Sequence, residues 1–484
     1  MAVEYEPVIG LEVHAQLKTK SKIFCGCPTD FGADPNHNVC PVCIGMPGVL
    51  PVLNKRAVEI AIKTGLALNC HIAEDTRFDR KNYFYPDLPK GYQISQFDRP
   101  ICSTGYLIVK GTKIRIHRAH LEEDAGKLVH AGADGLHGSD YSKADYNRSS
   151  VPLLEIVSEP DIRSAEQAEE YLRELRSILR YIDASDGNLE EGSFRCDANV
   201  SIRPKGQEKF GTRTEIKNMN SFQSVRQAIE HEIARQKKCL DNGETIEQET
   251  RLWTGKDTHV MRSKEDSHDY RYFPEPDLVP LKIDRQWVED VRSTLEELPE
   301  ARRQRYVGSN GLSLEDATVI ASSKEMSDFF DATLKLGVPA KQSANHLMGP
   351  TLAYLSKEKL EFSDIKLTPE NLRDIVAAIA EGKLNSNTAK EKLLMPLLAE
   401  AGDVNQMIDK LGLAQISDTG ALRDLLTKVL DRSPQQLEDY KKGKVKLRQY
   451  FQGEVMKETK GKANPQVINQ LLDEMLPPVE GAAK

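Results

Sequence analysis

The sequence predicts an α+β protein: a first domain with a largely antiparallel sheet and a zinc knuckle, then an all-α helical domain, then a small α-helical tail. Three observations carry that expectation. Short apolar/polar alternations, interrupted by two clear helices, fill the chain to about residue 290. Four cysteines fall within nineteen residues near the amino terminus. Beyond about Leu298 the pattern changes to successive short helices with recurring capping residues. Runs of strands with helices segregated among them favour an α+β layering.

Val8 to Leu17 alternates apolar and polar residues, as does Lys113 to Ile116, and both read as strands. Ser164 with Gln167 forms a candidate capping box. Ala168, Tyr171, Leu172, Leu175, Ile178, Leu179 and Ile182 follow at helical spacing, and the turn-rich Asp183 to Asn188 stretch ends that helix. A second helix starts near Ser221, with Val225, Ile229 and Ile233 on one stripe. The Pro-rich stretch from Phe273 to Pro280 reads as the exit from this domain. Ser313, Thr368 and Asn385 then cap helices, a break falls between Gly412 and Gly420, and Lys441 to Lys462 is rich in lysine. At 484 residues the chain is too long for one core. Three domains are read, at 1–295, 296–410 and 411–484.

Charge and hydropathy narrow the function classes. No run of about 18 apolar residues exists, which argues against a membrane span. The amino terminus lacks the basic and apolar regions of a signal peptide, so a cytoplasmic location is expected. A net charge of -8 provides no global attraction to nucleic acid, and any RNA contact must use a local basic surface. There is no Gly-x-x-x-x-Gly-Lys-Ser/Thr loop and no Gly-x-Gly-x-x-Gly fingerprint, so a nucleotide site must be of another kind.

The cysteines are spaced Cys25-x-Cys27, then twelve residues, then Cys40-Pro-Val-Cys43. Two thiolate pairs on two turns can converge into the tetrahedron zinc prefers, and four thiolates leave no site for a reactive water. A structural zinc is therefore expected. Free cysteines in an irregular loop, or His37 replacing one thiolate, are the alternatives. Cys70, Cys102, Cys196 and Cys239 stand singly and read as small buried hydrophobes.

Carboxylates form the other candidate cluster. Glu12 and His14 stand two apart on the first strand and face one side. His117-Arg-Ala-His-Leu-Glu-Glu-Asp124 packs three carboxylates into three positions, where a divalent cation would relieve their repulsion; a solvated acidic turn is the plainer reading. Glu155 lies in the apolar run Val151 to Val157, where an unpartnered carboxylate is costly. Oxygen ligands with one histidine suit Mg²⁺ or Mn²⁺.

These motifs, in this order, resemble the B subunits of the aspartyl/glutamyl-tRNA amidotransferases. The resemblance rests on Val8 to His14, Arg80 to Gln93, Leu121 to Lys127, Asp145 to Arg148, Val151 to Asp161, Gly192 to Asn199, Thr214 to Asn218 and Ser267 to Asp277. It extends into the tail through Val455 to Lys457 and Gly461 to Pro465. It implies a cradle-like first domain that uses ATP and Mg²⁺ to phosphorylate the side-chain carboxylate of misacylated Glu-tRNA(Gln) or Asp-tRNA(Asn). Ammonia from a glutaminase A subunit then attacks, in a heterotrimer with a small C subunit. By motif, His14, Glu123 and Glu155 are the implied Mg²⁺ ligands, with Glu12, Glu122, Glu191 and Glu215 around them. Lys81 and Tyr83 are implied to line the ammonia path, and Lys457, Lys460 and Lys462 to meet tRNA. The chain has no amidase-type Ser-Ser signature of its own, which fits a separate ammonia supplier. Gln449, Gln452, Glu454 and His346 depart from the family pattern, His346 where tryptophan is expected. A non-catalytic, zinc-containing tRNA-binding scaffold is the second reading.

Overall fold

The computed structural model describes residues 3–131, 141–263, 270–416, 418–459 and 461–476. The chain forms two compact units, one through Leu298 and one from Pro299. The first is built on a twelve-stranded sheet. Its long strands run in the order Phe194–Pro204, Tyr5–Gln16, Pro152–Ser158 and Thr112–Glu123, each pair antiparallel. Thr214–Lys217 extends the sheet beyond Phe194–Pro204, while Tyr92–Ser95 and Asp79–Asn82 extend it beyond Thr112–Glu123. One neighbouring pair, Thr214–Lys217 with Glu249–Trp253, is parallel. The expectation of a largely antiparallel sheet within an α+β fold therefore holds.

The first strand shows why the sheet has two unlike faces. Ile9, Leu11, Val13 and Ala15 are fully buried. They join one apolar core with residues of three helices, Lys55–Ala67, Ala165–Tyr181 and Phe222–Asp241. The alternate residues Glu12, His14 and Gln16 must point the other way. Helices thus cover one face and leave the other polar.

Local signals hold with two differences. Ser164 caps its helix by accepting from the Gln167 N–H at 3.0 Å, but the Gln167 side chain accepts from Arg163 N–H at 2.8 Å, one residue short of a reciprocal box. The strand expected over Lys113 to Ile116 runs from Thr112 to Glu123. Its second half has lost the alternation that marks a strand, because both faces there are buried: His120, Leu121, Glu122 and Glu123 are each at most 2% exposed. The solvated acidic turn is thereby excluded.

The second unit is helical, with three separate apolar clusters. Ser313 and Asn385 cap helices as read, and Thr368 makes a true capping box, its partner being Asn371. Two π-helical turns interrupt the regular pattern, Leu347–Thr351 around Pro350 and Ala389–Leu393. No helix among the described residues is long and apolar enough to cross a membrane.

Candidate active site and metal centres

Strand register assembles the polar face. His14 lies opposite Glu155, and Glu155 lies opposite His120, so the three side chains stand in a row across adjacent strands. Glu122, two residues along from His120, joins the same row. His14 Nε2 is 3.4 Å from Glu155 Oε2 and 3.6 Å from Glu122 Oε1. His120 Nε2 is 3.3 Å from Glu155 Oε2 and 3.8 Å from Glu122 Oε2.

Their electrostatics follow from these contacts. Burial by itself would make His14 harder to protonate, but Glu155 and Glu122 outweigh it and raise its pKa. Burial would likewise raise Glu155, yet His120 and His14 hold it well below the usual carboxylate range. His14, Glu122 and Glu155 offer one nitrogen and two carboxylate oxygens within 4.8 Å of one another. A cation such as Mg²⁺, with ligands at about 2.1 Å, needs only a slight contraction of that set.

Glu123, one of the ligands implied by motif, lies outside this group. Adjacent residues of a strand face opposite sides, and Glu123 turns away from His14. Its carboxylate pairs with Lys90, accepts from Ile94 N–H at 2.8 Å and accepts from Ser150 Oγ at 2.5 Å. Asp124 takes a third direction, to Arg195 Nη2 at 2.9 Å, Arg148 Nε at 3.6 Å and Gln16 Nε2 at 2.8 Å. Burial would raise Asp124, and the two arginines with Gln16 more than reverse that. The three successive carboxylates therefore face three separate sets of protein partners.

The remaining expected residues divide. Glu12 shares the polar face and accepts from Asn199 Nδ2 at 2.9 Å. Burial, then Glu155, Glu215 and Asp197, raise its pKa. Glu215 lies two strands from Glu12, held by Lys217 at 3.0 Å and Thr250 Oγ1 at 2.7 Å. Glu191 sits on an exposed turn, lining a depression with Gln16, Lys18 and Asp186. Lys81 has its Nζ 4.9 Å from the Tyr270 ring centre and 6.0 Å from that of Tyr83. Burial opposes its charge, but Glu122, Tyr272 and Glu155 raise its pKa overall. A cavity of about 410 Å³ opens beside Glu12, lined among others by Val8, Gly10, Asn199, Phe210 and Arg213. His120 was passed over by sequence reasoning; its signal is the spacing His120-x-Glu122, the mirror of Glu12-x-His14.

The cysteine cluster forms as the spacing predicts. Cys43 Sγ lies 3.6 Å from Cys25, 3.7 Å from Cys40 and 3.8 Å from Cys27. Zinc held by four thiolates at about 2.3 Å sets neighbouring sulfurs about 3.8 Å apart, so the donors fit it. His37 is exposed and outside the group. Of the single cysteines, Cys102 and Cys196 are buried and Cys70 and Cys239 half-buried.

Residues 7–289 match the GatB/GatE catalytic domain family and residues 328–476 match the GatB domain family. The chain belongs to the amidotransferase B-subunit family. Relatives named as the B subunit of aspartyl/glutamyl-tRNA(Asn/Gln) amidotransferase include one from Listeria innocua, 54% identical over 481 residues, covering 98% of this chain and 99% of the relative. Those of Acaryochloris marina and Brevibacillus brevis are each 52% identical and cover 98% of this chain, and 98% and 99% of their own lengths. The chain is accordingly an amidotransferase subunit. In this family setting the histidine–carboxylate row and the four-cysteine knuckle lie in the same matched segment, 7–289.

In the tail, Lys457 is exposed and 3.7 Å from Glu454, and Lys462 is exposed, while Lys460 lies outside the described residues. Several tail cations have carboxylate partners, including Lys444 with Asp439 and Arg432 with Glu458.

Proposed function

We propose that this chain activates the side-chain carboxylate of misacylated Glu-tRNA(Gln) or Asp-tRNA(Asn) with ATP, for conversion to the amide. The observation that carries the reading is the meeting of His14, Glu122 and Glu155 from three strands on the polar face. A carboxylate is a poor electrophile, and phosphorylation turns its oxygen into a good leaving group. Two anionic substrates meeting among glutamates would repel, and a Mg²⁺ held by His14, Glu122 and Glu155 would offset charge on phosphate oxygens.

The surrounding residues have roles that follow from their places. His120 holds Glu155 from the other side and keeps its carboxylate oriented toward His14. Glu12, Asn199 and the neighbouring 410 Å³ cavity provide room for the nucleoside, with Phe210 and Gly10 as apolar walls and Arg213 as a cation near phosphates. Lys81, beside the Tyr83 and Tyr270 rings and drawn toward Glu122 and Glu155, would line with Tyr83 the path of ammonia to the activated carbonyl. The ammonia comes from a glutaminase A subunit, in a heterotrimer with a small C subunit, in the cytoplasm. Zinc in the cysteine knuckle is structural.

For the helical unit, the reading is a middle domain to about residue 410 and a tail from 411. A separate apolar cluster running from Leu422 to Leu476 supports that partition. The exposed Lys457 and Lys462, with Lys460, would meet tRNA phosphates, a contact that weakens with salt.

The deciding experiment gives the reconstituted A–B–C complex ATP, glutamine and each misacylated tRNA side by side. Amide formation with ATP turnover that depends on misacylated tRNA is expected. ATP-independent amidation, or glutaminase activity in this chain alone, would contradict the proposal.

A further inference from the structure

Three lysines follow one another at two-residue spacing: Lys18, Lys20 and Lys22. Lys18 and Lys20 are exposed, whereas Lys22 is 0% exposed, among the largest fully buried side chains of the molecule. Its Nζ donates to Asn38 O at 2.7 Å, Tyr146 O at 3.3 Å and Cys43 Sγ at 3.4 Å. Among the described residues no carboxylate lies within ion-pair distance of it. Removing an ammonium from water costs several kcal/mol unless a charge and a full set of hydrogen bonds replace the solvent. The three acceptors match the three N–H donors of the charged form, where a neutral amine has only two.

Two of those acceptors are neutral carbonyls, and the third, the Cys43 sulfur, is the one that can carry a compensating charge. Four protonated thiols would provide none. Zinc with four thiolates carries a net charge of two minus, and Lys22 in contact with one of them halves it. We propose that Lys22 is the buried counter-ion of the zinc-tetrathiolate centre, and that its charge holds the metal as well as the fold. This rests on the reading that the cluster holds zinc.

The same side chain is a tether. Lys22 joins the second cysteine turn, through Asn38 and Cys43, to the segment that begins at Tyr146. That segment returns the contact: Ser149 Oγ donates to Cys43 O at 3.3 Å, and Ile23 N–H donates to Ser150 O at 3.0 Å. Ser150, in the left-handed region at φ 63°, donates in turn to Glu123, next to Glu122 in sequence. The knuckle therefore braces the strand end that presents Glu122.

The test measures zinc per full-length chain by elemental mass spectrometry, then its release to a chromogenic chelator. Lys22→Met should release zinc about 10–100-fold faster than wild type, the usual penalty for losing a hydrogen-bond partner of a metal ligand. Lys20→Met, an exposed neighbour, should match wild type. Equal release from the two variants would overturn the role of Lys22 while leaving zinc in place; absence of zinc from the wild type would overturn the zinc reading itself. Wild-type protein provides a second measurement that does not depend on a variant folding. Acetic anhydride should leave Lys22 unmodified while Lys18 reacts, and Lys22 should become reactive as chelation removes zinc. Continued protection of Lys22 after zinc is stripped would refute the counter-ion assignment.

Discussion

Two clusters of the first unit could each hold a metal ion, and they are built in opposite ways. The four cysteines span residues 25 to 43, and two local turns bring them together. His14, Glu122 and Glu155 are separated by 108 and 33 positions along the chain, and only the register of three strands unites them. The first cluster is closed, filled by soft donors beside a buried cation. The second lies on the sheet face that helices do not cover, with hard donors and two histidines. A tetrathiolate fills its metal's coordination shell and stabilises, whereas a row of three donors leaves coordination positions that substrate can take.

The largest expected effect tests that division. Glu122→Gln, which keeps size but removes charge from the polar face, should lower tRNA-dependent ATP turnover in the complex about a thousandfold or more, with the folded state unchanged. Unaltered turnover would dismantle the assignment of this row as the reaction centre.

Cys43→Ser should do the reverse. Zinc content should fall to near zero and unfolding stability by about 3 kcal/mol or more, seen by denaturant titration, while the folded fraction keeps ATP turnover. A variant that stays fully stable but loses turnover would move the knuckle into the chemistry.

Glu123→Gln separates neighbours. Breaking its buried pair with Lys90 should cost about 3 kcal/mol of stability, so chemical denaturation, and not the metal affinity of the row, should register it. Loss of Mn²⁺ binding with stability intact would restore Glu123 as a ligand.

The smallest effect compares half-buried His14 with buried His346. The Glu155 and Glu122 carboxylates raise His14, whereas burial, helped by Lys390, lowers His346 to about 4. A depressed folded pKa means that the unfolded chain binds the proton more tightly. Stability is then full above about 6.5 and is lost as pH falls toward 4, by up to about 3 kcal/mol. His346→Leu should flatten that pH dependence in denaturation curves, and an unchanged slope would locate the acid sensitivity elsewhere.

What could be read in advance follows from the range of the interactions. The cysteine spacing announced its cluster because both thiolate pairs are local. Glu12-x-His14 announced a shared face because alternation on a half-buried strand is a local rule. The same rule failed at His117 to Asp124, where burial on both faces removes the alternation; nothing in two adjacent glutamates says which faces His14. His120 was legible only as a repeat of the two-residue spacing.

The family, the α+β class, the helix caps and the closed cysteine site were all legible along the chain, since each depends on near neighbours in sequence. Folding in three dimensions was needed to place Glu122, and not Glu123, beside His14 and Glu155, and to bury Lys22, unlike Lys18 and Lys20, against Cys43. Both outcomes depend on strand pairing and loop packing between distant residues, and the electrostatic cost of a buried charge makes each specific once the fold has formed.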